Sequence, residues 1–273
     1  MSVTLLEPEP VVGDSNLKLV AGPITPSPFA ARAEDVIQGA IAACPLAALM
    51  VALARARPSN LHRMLGAPQR ATVLSKRSAS KSFDLKSGFY YDVVFPGRGT
   101  ATRISPLVYV AGDIVRYART PSGAGWPSYI EKAYAVWKSG GGRSGSGGTY
   151  TPLAFSTSKP GPRELGTVMG DLIGEFDVLD HARKLFIAPS GVARTMGAGD
   201  IAAMARRSPR RPTAAPTFPR LAGKARVRAD HTYAVIGYRK GVTLRDPWGG
   251  AGATMTVSVA EFEESFHGIW QAV

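Results

Sequence analysis

Apolar and polar positions follow two different periods along the chain, and together they predict a mixture of helices and strands. Within Glu34–Arg57 the chain runs through Leu, Ala, Met and Val without Gly or Pro from Pro45 onward, which predicts a buried helix. Pro is well tolerated at the start of a helix, so Pro45 is expected to open it with Cys44 at its N-terminal edge. Pro58 and Ser59 are expected to end it.

The region from residue 70 to residue 138 changes from strand signals to a helix signal. β-Branched and aromatic runs separated by turn residues predict strands at Phe89–Phe95, Ala101–Ile104 and Leu107–Val110, with shorter pieces at Leu17–Val20 and Asp113–Tyr117. Trp126–Trp137 instead carries its apolar residues in steps of three and four, typical of one helical face. We expect its aromatic residues to be core. Ser139–Gly148 reads as a glycine linker.

The last third of the chain is rich in strand signals. Helices are predicted at Glu164–Leu172, Asp200–Arg207 and Val259–Phe266, with a Pro/Arg loop after the second of them up to about Arg220. Thr232–Tyr238 and Gly241–Leu244 flank a tight turn and predict a hairpin, and Thr254–Val257 predicts a further strand. The pattern predicts an α+β protein with an extended lead-in over residues 1–33 and one domain over 34–273, divided into a helical lobe of about 34–150 and a β-rich lobe of about 151–273.

Charge and cysteine content narrow the function classes. The 273 residues carry 33 Lys+Arg against 20 Asp+Glu, a net +13, so nucleic acid has to be considered. The basic residues are scattered apart from Arg206, Arg207, Arg210 and Arg211, which have no aromatic stacking platform nearby, and this argues for a solvated basic surface instead. The single cysteine excludes an internal disulfide and a Cys-rich zinc site.

Neither a secretory signal nor a membrane span is predicted. The segment Met1–Asn16 is acidic and contains Pro, unlike a signal peptide, and the longest apolar stretch, Ile41–Ala54, is too short to cross a bilayer. We expect a monomer that is made in the cytoplasm, with export by a route that needs no signal peptide left open.

Three residues far apart in the chain suggest nucleophilic catalysis. Cys44 at a helix N-terminus would meet unpaired backbone N–H groups and the positive end of the helix dipole, which favour the thiolate. Gln38 could donate an amide hydrogen bond to an oxyanion. His231 begins one strand of the predicted hairpin and Asp246 follows the next strand, so both should reach the same end of the sheet.

Four motifs that include these residues resemble those of calpain-like cysteine peptidases, and they occur in that family's order. They are the Gln-Gly…Cys run Asp35–Leu49, the helix signature Trp126–Ala135, the strand His231–Val235 and the turn Leu244–Gly249. The resemblance implies a papain-like two-lobe core with Cys44 on the helical lobe and His231 and Asp246 on the β-rich lobe. It also implies Gln38 as the oxyanion-hole amide and Trp248 as the residue that shields the His–Asp contact from water.

The sequence departs from the family pattern at several positions. Ala42 and Ala43 replace Gly-Asp before the cysteine, Pro45 replaces the Trp after it, and Asp246 replaces Asn. A carboxylate can orient an imidazole as an amide does, so the triad is kept. No acidic loop resembles the family's calcium sites, so neither a metal nor a cofactor is expected.

These features predict a cysteine endopeptidase that hydrolyses protein or peptide substrates, of a size that fits a bacterial enzyme or effector. Two alternatives stay open at this point. The same triad serves deamidases and transglutaminase-type acyl transferases, and a degenerate peptidase fold can act as a catalytically inactive binding module.

Overall fold

The computed structural model describes ten segments of the chain, which include every predicted site residue. They are residues 2–6, 17–21, 31–39, 43–77, 82–97, 99–112, 114–138, 162–221, 225–249 and 253–273. The linker predicted at Ser139–Gly148 lies outside the described residues.

The helices agree closely with the sequence pattern. They are α1 (Cys44–Ala56), α2 (Pro58–Leu65), α3 (Trp126–Lys138), α4 (Pro162–Leu172), α5 (Asp200–Arg207) and α6 (Val259–Ser265), with a short 3-10 turn at Ala33–Asp35. Cys44 is the first residue of α1, one residue before the predicted start at Pro45. α1 ends at Ala56, just before Pro58 and Ser59 as predicted, and Pro58 then begins α2 at a position that needs no backbone N–H.

Strands occur in both halves of the chain. They are β1 (Ser2–Leu6), β2 (Leu17–Ala21), β3 (Gln69–Arg77), β4 (Ser82–Val94), β5 (Ala101–Ile104), β6 (Leu107–Ala111), β7 (Ile114–Val115), β8 (Phe176–Asp180), β9 (Leu185–Ile187), β10 (Ala193–Thr195), β11 (Thr213–Pro216), β12 (Thr232–Tyr238), β13 (Val242–Arg245), β14 (Thr254–Val257) and β15 (Gly268–Ala272). The predicted Pro/Arg loop up to Arg220 is wrong in part, since it contains β11.

The main sheet has eight strands in the order β10-β9-β8-β15-β11-β12-β13-β14, with antiparallel pairing throughout. Smaller sheets have the orders β1-β3-β4-β5 and β2-β6-β7. The predicted hairpin is β12–β13, and Lys240 in its turn has a φ of 58°. The protein is therefore mixed α+β with a large antiparallel sheet, as predicted.

The two faces of the main sheet belong to two hydrophobic cores. Ala234 of β12 faces a core that contains α1, most of α3 and the buried side of α4. Its neighbours Tyr233 and Val235 face a second core that includes residues of α5 and α6. Successive side chains of a strand point to opposite faces, so β12 contributes to both cores. The helix that begins with Cys44 and the strand that follows His231 thus pack directly together.

No helix in the described segments is long and apolar enough to span a membrane.

Candidate functional site

The start of β12 is fastened by two backbone contacts to Thr217. The backbone N–H of His231 donates to Thr217 Oγ1 at 2.9 Å, and the backbone N–H of Thr217 donates to the His231 carbonyl at 2.8 Å. On the neighbouring strand, the backbone N–H of Asp246 donates to the Ala253 carbonyl at 2.7 Å. Hairpin pairing between these two strands therefore brings His231 and Asp246 to one end of the sheet, as the sequence predicts.

His231 and Asp246 form a direct hydrogen-bonded pair. His231 Nε2 lies 2.9 Å from Asp246 Oδ1, and both side chains are buried. The same Oδ1 accepts from the Trp248 backbone N–H at 2.9 Å, and Oδ2 lies 3.3 Å from Arg228 Nε. Burial alone would raise the pKa of Asp246, but the bond to His231 and the charges of His231 and Arg228 outweigh it, so this pKa is lowered. The carboxylate is thus ionised at neutral pH. Because it binds Nε2 of the imidazole, Nδ1 is left for a reacting group.

The Cys44 thiol contacts the residue that follows His231, in a dry environment. Cys44 is only 4% exposed, and its Sγ lies 4.0 Å from Oγ1 of Thr232, the residue after His231. In the described segments the thiol's hydrogen bond goes to Thr232 and not to the imidazole. The structure therefore brings His231 and Asp246 into contact, whereas the contact that it shows for the Cys44 thiol is with the Thr232 side chain.

The protonation state of Cys44 differs from the sequence-based expectation. Burial raises the pKa of the thiol to about 11. Its effect is larger than those of the Thr232 backbone, the Thr232 hydroxyl and the cysteine's own backbone N–H, all of which lower the pKa. The nearby Asp230 carboxylate raises it further. The N–H groups at the start of the helix favour the thiolate as expected, but desolvation exceeds their effect, so the resting thiol is protonated at neutral pH.

Gln38 is held next to the Asp246 turn through its backbone. Its N–H donates to the Pro247 carbonyl at 2.7 Å, and the preceding Ile37 pairs with Arg119 through two 2.8 Å hydrogen bonds. The following Gly39 has a packing reason, since a Cβ there would lie 2.2 Å from the carbonyl oxygens of Arg116 and Tyr117. These backbone hydrogen bonds and the close packing at Gly39 therefore fix the position of the Gln38 backbone.

Trp248 and Arg228 form the outer rim of the His–Asp pair. The Trp248 ring meets the His231 ring at 5.4 Å in a T-shaped contact and is itself 50% exposed. The Arg228 guanidinium lies 4.4 Å from the centre of the Trp248 ring. Trp248 thus contacts the imidazole, and its role in shielding the His–Asp bond from water stays a prediction. Sequence reasoning missed Arg228, since its only signal was its position three residues before His231.

Three other buried titratable residues make hydrogen bonds to the backbone that are typical of structural roles. Lys132 is fully buried and donates from Nζ to the carbonyls of Ser105 and Leu107 at 3.0 and 2.8 Å. Glu131 accepts from the Ala118 backbone N–H, and burial raises its pKa to about 8. His181 Nδ1 lies 2.9 Å from the Phe266 carbonyl. Within the described segments no group of His, Cys, Asp and Glu is arranged to hold a metal ion.

Comparisons with known proteins assign no family to this chain. No protein-family model matches the sequence, and no curated protein matches it. The likeness to calpain-like peptidases thus depends on the four motifs and on the site that they form.

Proposed function

We propose that this protein is a cysteine peptidase of calpain-like, papain-like architecture that hydrolyses peptide bonds with a Cys44–His231–Asp246 triad. The observation that carries the proposal is the 2.9 Å bond between His231 Nε2 and Asp246 Oδ1 at the end of the hairpin, next in the chain to Thr232, which contacts Cys44 of α1. A carboxylate bound to one imidazole nitrogen fixes the tautomer and leaves the other nitrogen to serve a nucleophile.

In the proposed reaction His231 Nδ1 takes the Cys44 proton as the sulfur attacks the substrate carbonyl. The Gln38 amide and the Cys44 backbone N–H stabilise the oxyanion. The imidazolium then protonates the leaving amine and, as neutral imidazole, activates the water that releases the acyl group. Proton transfer to His231 within the substrate complex is necessary, because a thiol with a pKa of about 11 is protonated at neutral pH.

The test compares wild type with Cys44→Ala on a proteome extract and on casein. New peptide N-termini that appear with wild type alone support the proposal. Ammonia release without new N-termini would assign the triad to glutamine deamidation instead. Circular dichroism of both proteins controls for folding, and a chelator arm tests the expected independence of calcium.

A second candidate, a non-catalytic binding module, is favoured by the burial of Cys44 and its raised pKa. A thiol-directed epoxide inhibitor separates the two candidates. If the triad is functional, the inhibitor labels Cys44 of the wild type at neutral pH, and His231→Ala loses most of this labelling. A module leaves Cys44 unlabelled in both proteins.

A further inference from the structure

A second candidate site lies at the end of α5, away from the His–Asp pair. Arg206, Arg207, Arg210 and Arg211 line a concave pocket of about 450 Å³ together with Pro209. This volume falls within the range of small-ligand sites, roughly 300–1,000 Å³. We propose that this arginine pocket binds a compact anion with several phosphate groups, such as a nucleotide or a short polyphosphate.

The charge of the surrounding segment supports an anionic ligand. Residues 201–229 contain eight Lys and Arg and no Asp or Glu. Across the described segments, the carboxylate that approaches the pocket arginines within ion-pair distance is Asp177, whose Oδ2 lies 3.9 Å from an Arg211 terminal nitrogen. This loose ion pair and the charge of Asp200, which also acts on Arg207, offset the mutual repulsion of four guanidiniums only in part. A multivalent anion would relieve it.

Two of the guanidiniums are held in place before any ligand binds. Arg206 lies over the Tyr238 ring at 4.7 Å, and Arg207 Nε donates to the Ala203 carbonyl at 3.2 Å. The backbone N–H groups of Arg210 and Arg211 both donate to the Arg207 carbonyl, at 2.9 and 3.0 Å, which closes the turn. Pre-positioned donors lose less conformational entropy when they bind a phosphate.

The stabilisation of α5 by cations at its C-terminus is a weaker explanation. Such contacts contribute about 0.3–1 kcal/mol each and need no concave arrangement. The surroundings also favour a compact ligand over a nucleic-acid strand. Tyr238 has an aromatic ring on which a base could stack, but Arg206 already covers it. Tyr238 ends β12, so the pocket lies roughly 20 Å along that strand from His231.

The proposal does not depend on peptidase activity, and direct binding tests it. Titration calorimetry would use the full chain with sodium tripolyphosphate at about 0.15 M salt, where surface attraction is screened. We expect measurable affinity in wild type and at least tenfold weaker binding in Arg207→Gln/Arg210→Gln, because each charge-assisted hydrogen bond contributes about a factor of ten.

The matched control is Arg220→Gln/Arg239→Gln, which removes the same charge from exposed positions outside the pocket. It should change affinity less than twofold. Equal loss in both double variants, or no binding in wild type, would overturn the proposal. So would a single-stranded oligonucleotide with as many phosphates that binds more tightly than tripolyphosphate.

A charge-preserving variant protects the test if the glutamine variant fails to fold. Arg207→Lys/Arg210→Lys keeps both charges but loses the forked donors of guanidinium. We expect severalfold weaker binding of tripolyphosphate, whereas unchanged affinity would contradict a guanidinium-specific site.

Discussion

The imidazole side and the sulfur side of the candidate site are built in opposite ways. His231 and Asp246 lie in a network of polar contacts whose outer members, Trp248 and Arg228, reach solvent. Cys44 lies at the head of a helix whose next ten residues are all buried, and its thiol is protonated. In the proposed triad the base and its orienting carboxylate are thus in contact, while the proposed nucleophile still has to be deprotonated.

This difference indicates where the energetic barrier to activity lies. Helix N–H groups at Cys44 and the hydroxyl of Thr232 favour the thiolate, but burial opposes them with greater effect. In the proposed mechanism, substrate binding or a movement of α1 would have to bring Sγ to Nδ1 of His231.

Removal of either the sulfur or the imidazole should give the largest loss. Cys44→Ala and His231→Ala should each lower kcat/KM for a cleaved peptide by at least about 10³-fold, because members of a triad act as a unit. The double variant should be no worse than either single one. Steady-state kinetics checks this, and additive losses in the double variant would contradict a shared mechanism.

Asp246 should matter less than the residues that exchange the proton. Asp246→Ala should lower kcat/KM on the order of 10²-fold, since His231 loses the acceptor for Nε2–H. Asp246→Asn keeps an amide oxygen there and should retain more activity than the alanine variant. Equal activities of the two variants would show that orientation of the imidazole is not the role of Asp246.

The dry interior around Cys44 can be compared with that around Glu131, another buried acid. The pKa of Glu131 is raised to about 8 in the folded protein, so the folded state binds more protons than the unfolded state between about 4.5 and 8. Its contribution to stability is fully present below about 4.5 and is lost as pH rises through 8.

Glu131→Gln should therefore raise the free energy of unfolding at pH 9 by on the order of a few kcal/mol, with little change at pH 4. Urea unfolding at both pH values measures this effect. Exposed Glu264→Gln is the control and should leave the pH dependence unchanged. A Glu131→Gln variant with the wild-type slope would show that this carboxyl is not held neutral.

The resting thiol offers a direct measurement of the sulfur side. The rate of Cys44 alkylation by iodoacetamide should rise with pH toward a midpoint near 11, because only the thiolate reacts. Thr232→Val removes a hydroxyl that lowers this pKa and should slow alkylation at pH 9 a few-fold, while Thr232→Ser should not. A midpoint below 8.5 would contradict a desolvated thiol.

Arg228 should have the smallest effect, confined to acidic pH. Its charge helps to lower the pKa of Asp246, so Arg228→Gln should shift the loss of activity on the acid side to higher pH. At neutral pH activity should fall less than about tenfold, because Arg228 is 58% exposed and partly screened by solvent.

The control for Arg228 is Arg226→Gln, an equally exposed arginine paired with Glu261 instead. This variant should keep the wild-type pH profile. Identical shifts in both variants would assign the effect to general surface charge.

Sequence patterns predicted the elements with strong local signals. The bounds of α5, β5, β12 and β14 agree with the prediction to the residue, since each has continuous helix or strand formers between turn residues. The elements that were missed depend on their neighbours. β11 reads Thr-Ala-Ala-Pro, a poor strand sequence, yet all four residues are buried between β12 and β15.

The candidate site was predictable in its polar half only. Hairpin pairing is local, so the order of His231 and Asp246 sufficed to place them together. The raised pKa of Cys44 depends on packing between α1 and β12, which are 188 residues apart at the Cys44–Thr232 contact. Likewise, nothing near Arg228 in the chain indicates that it reaches Asp246, because a side-chain contact across 18 positions leaves no sequence period.

Alternation along β12 has a consequence for how the protein can change over time. Ala234 on one side and Tyr233 and Val235 on the other lie within four residues of His231. Substitutions at these core positions are therefore expected to shift the backbone that carries His231. Sequence change in the two cores is then constrained by the need to keep His231 in position, and a compensating substitution can lie on either side of the sheet.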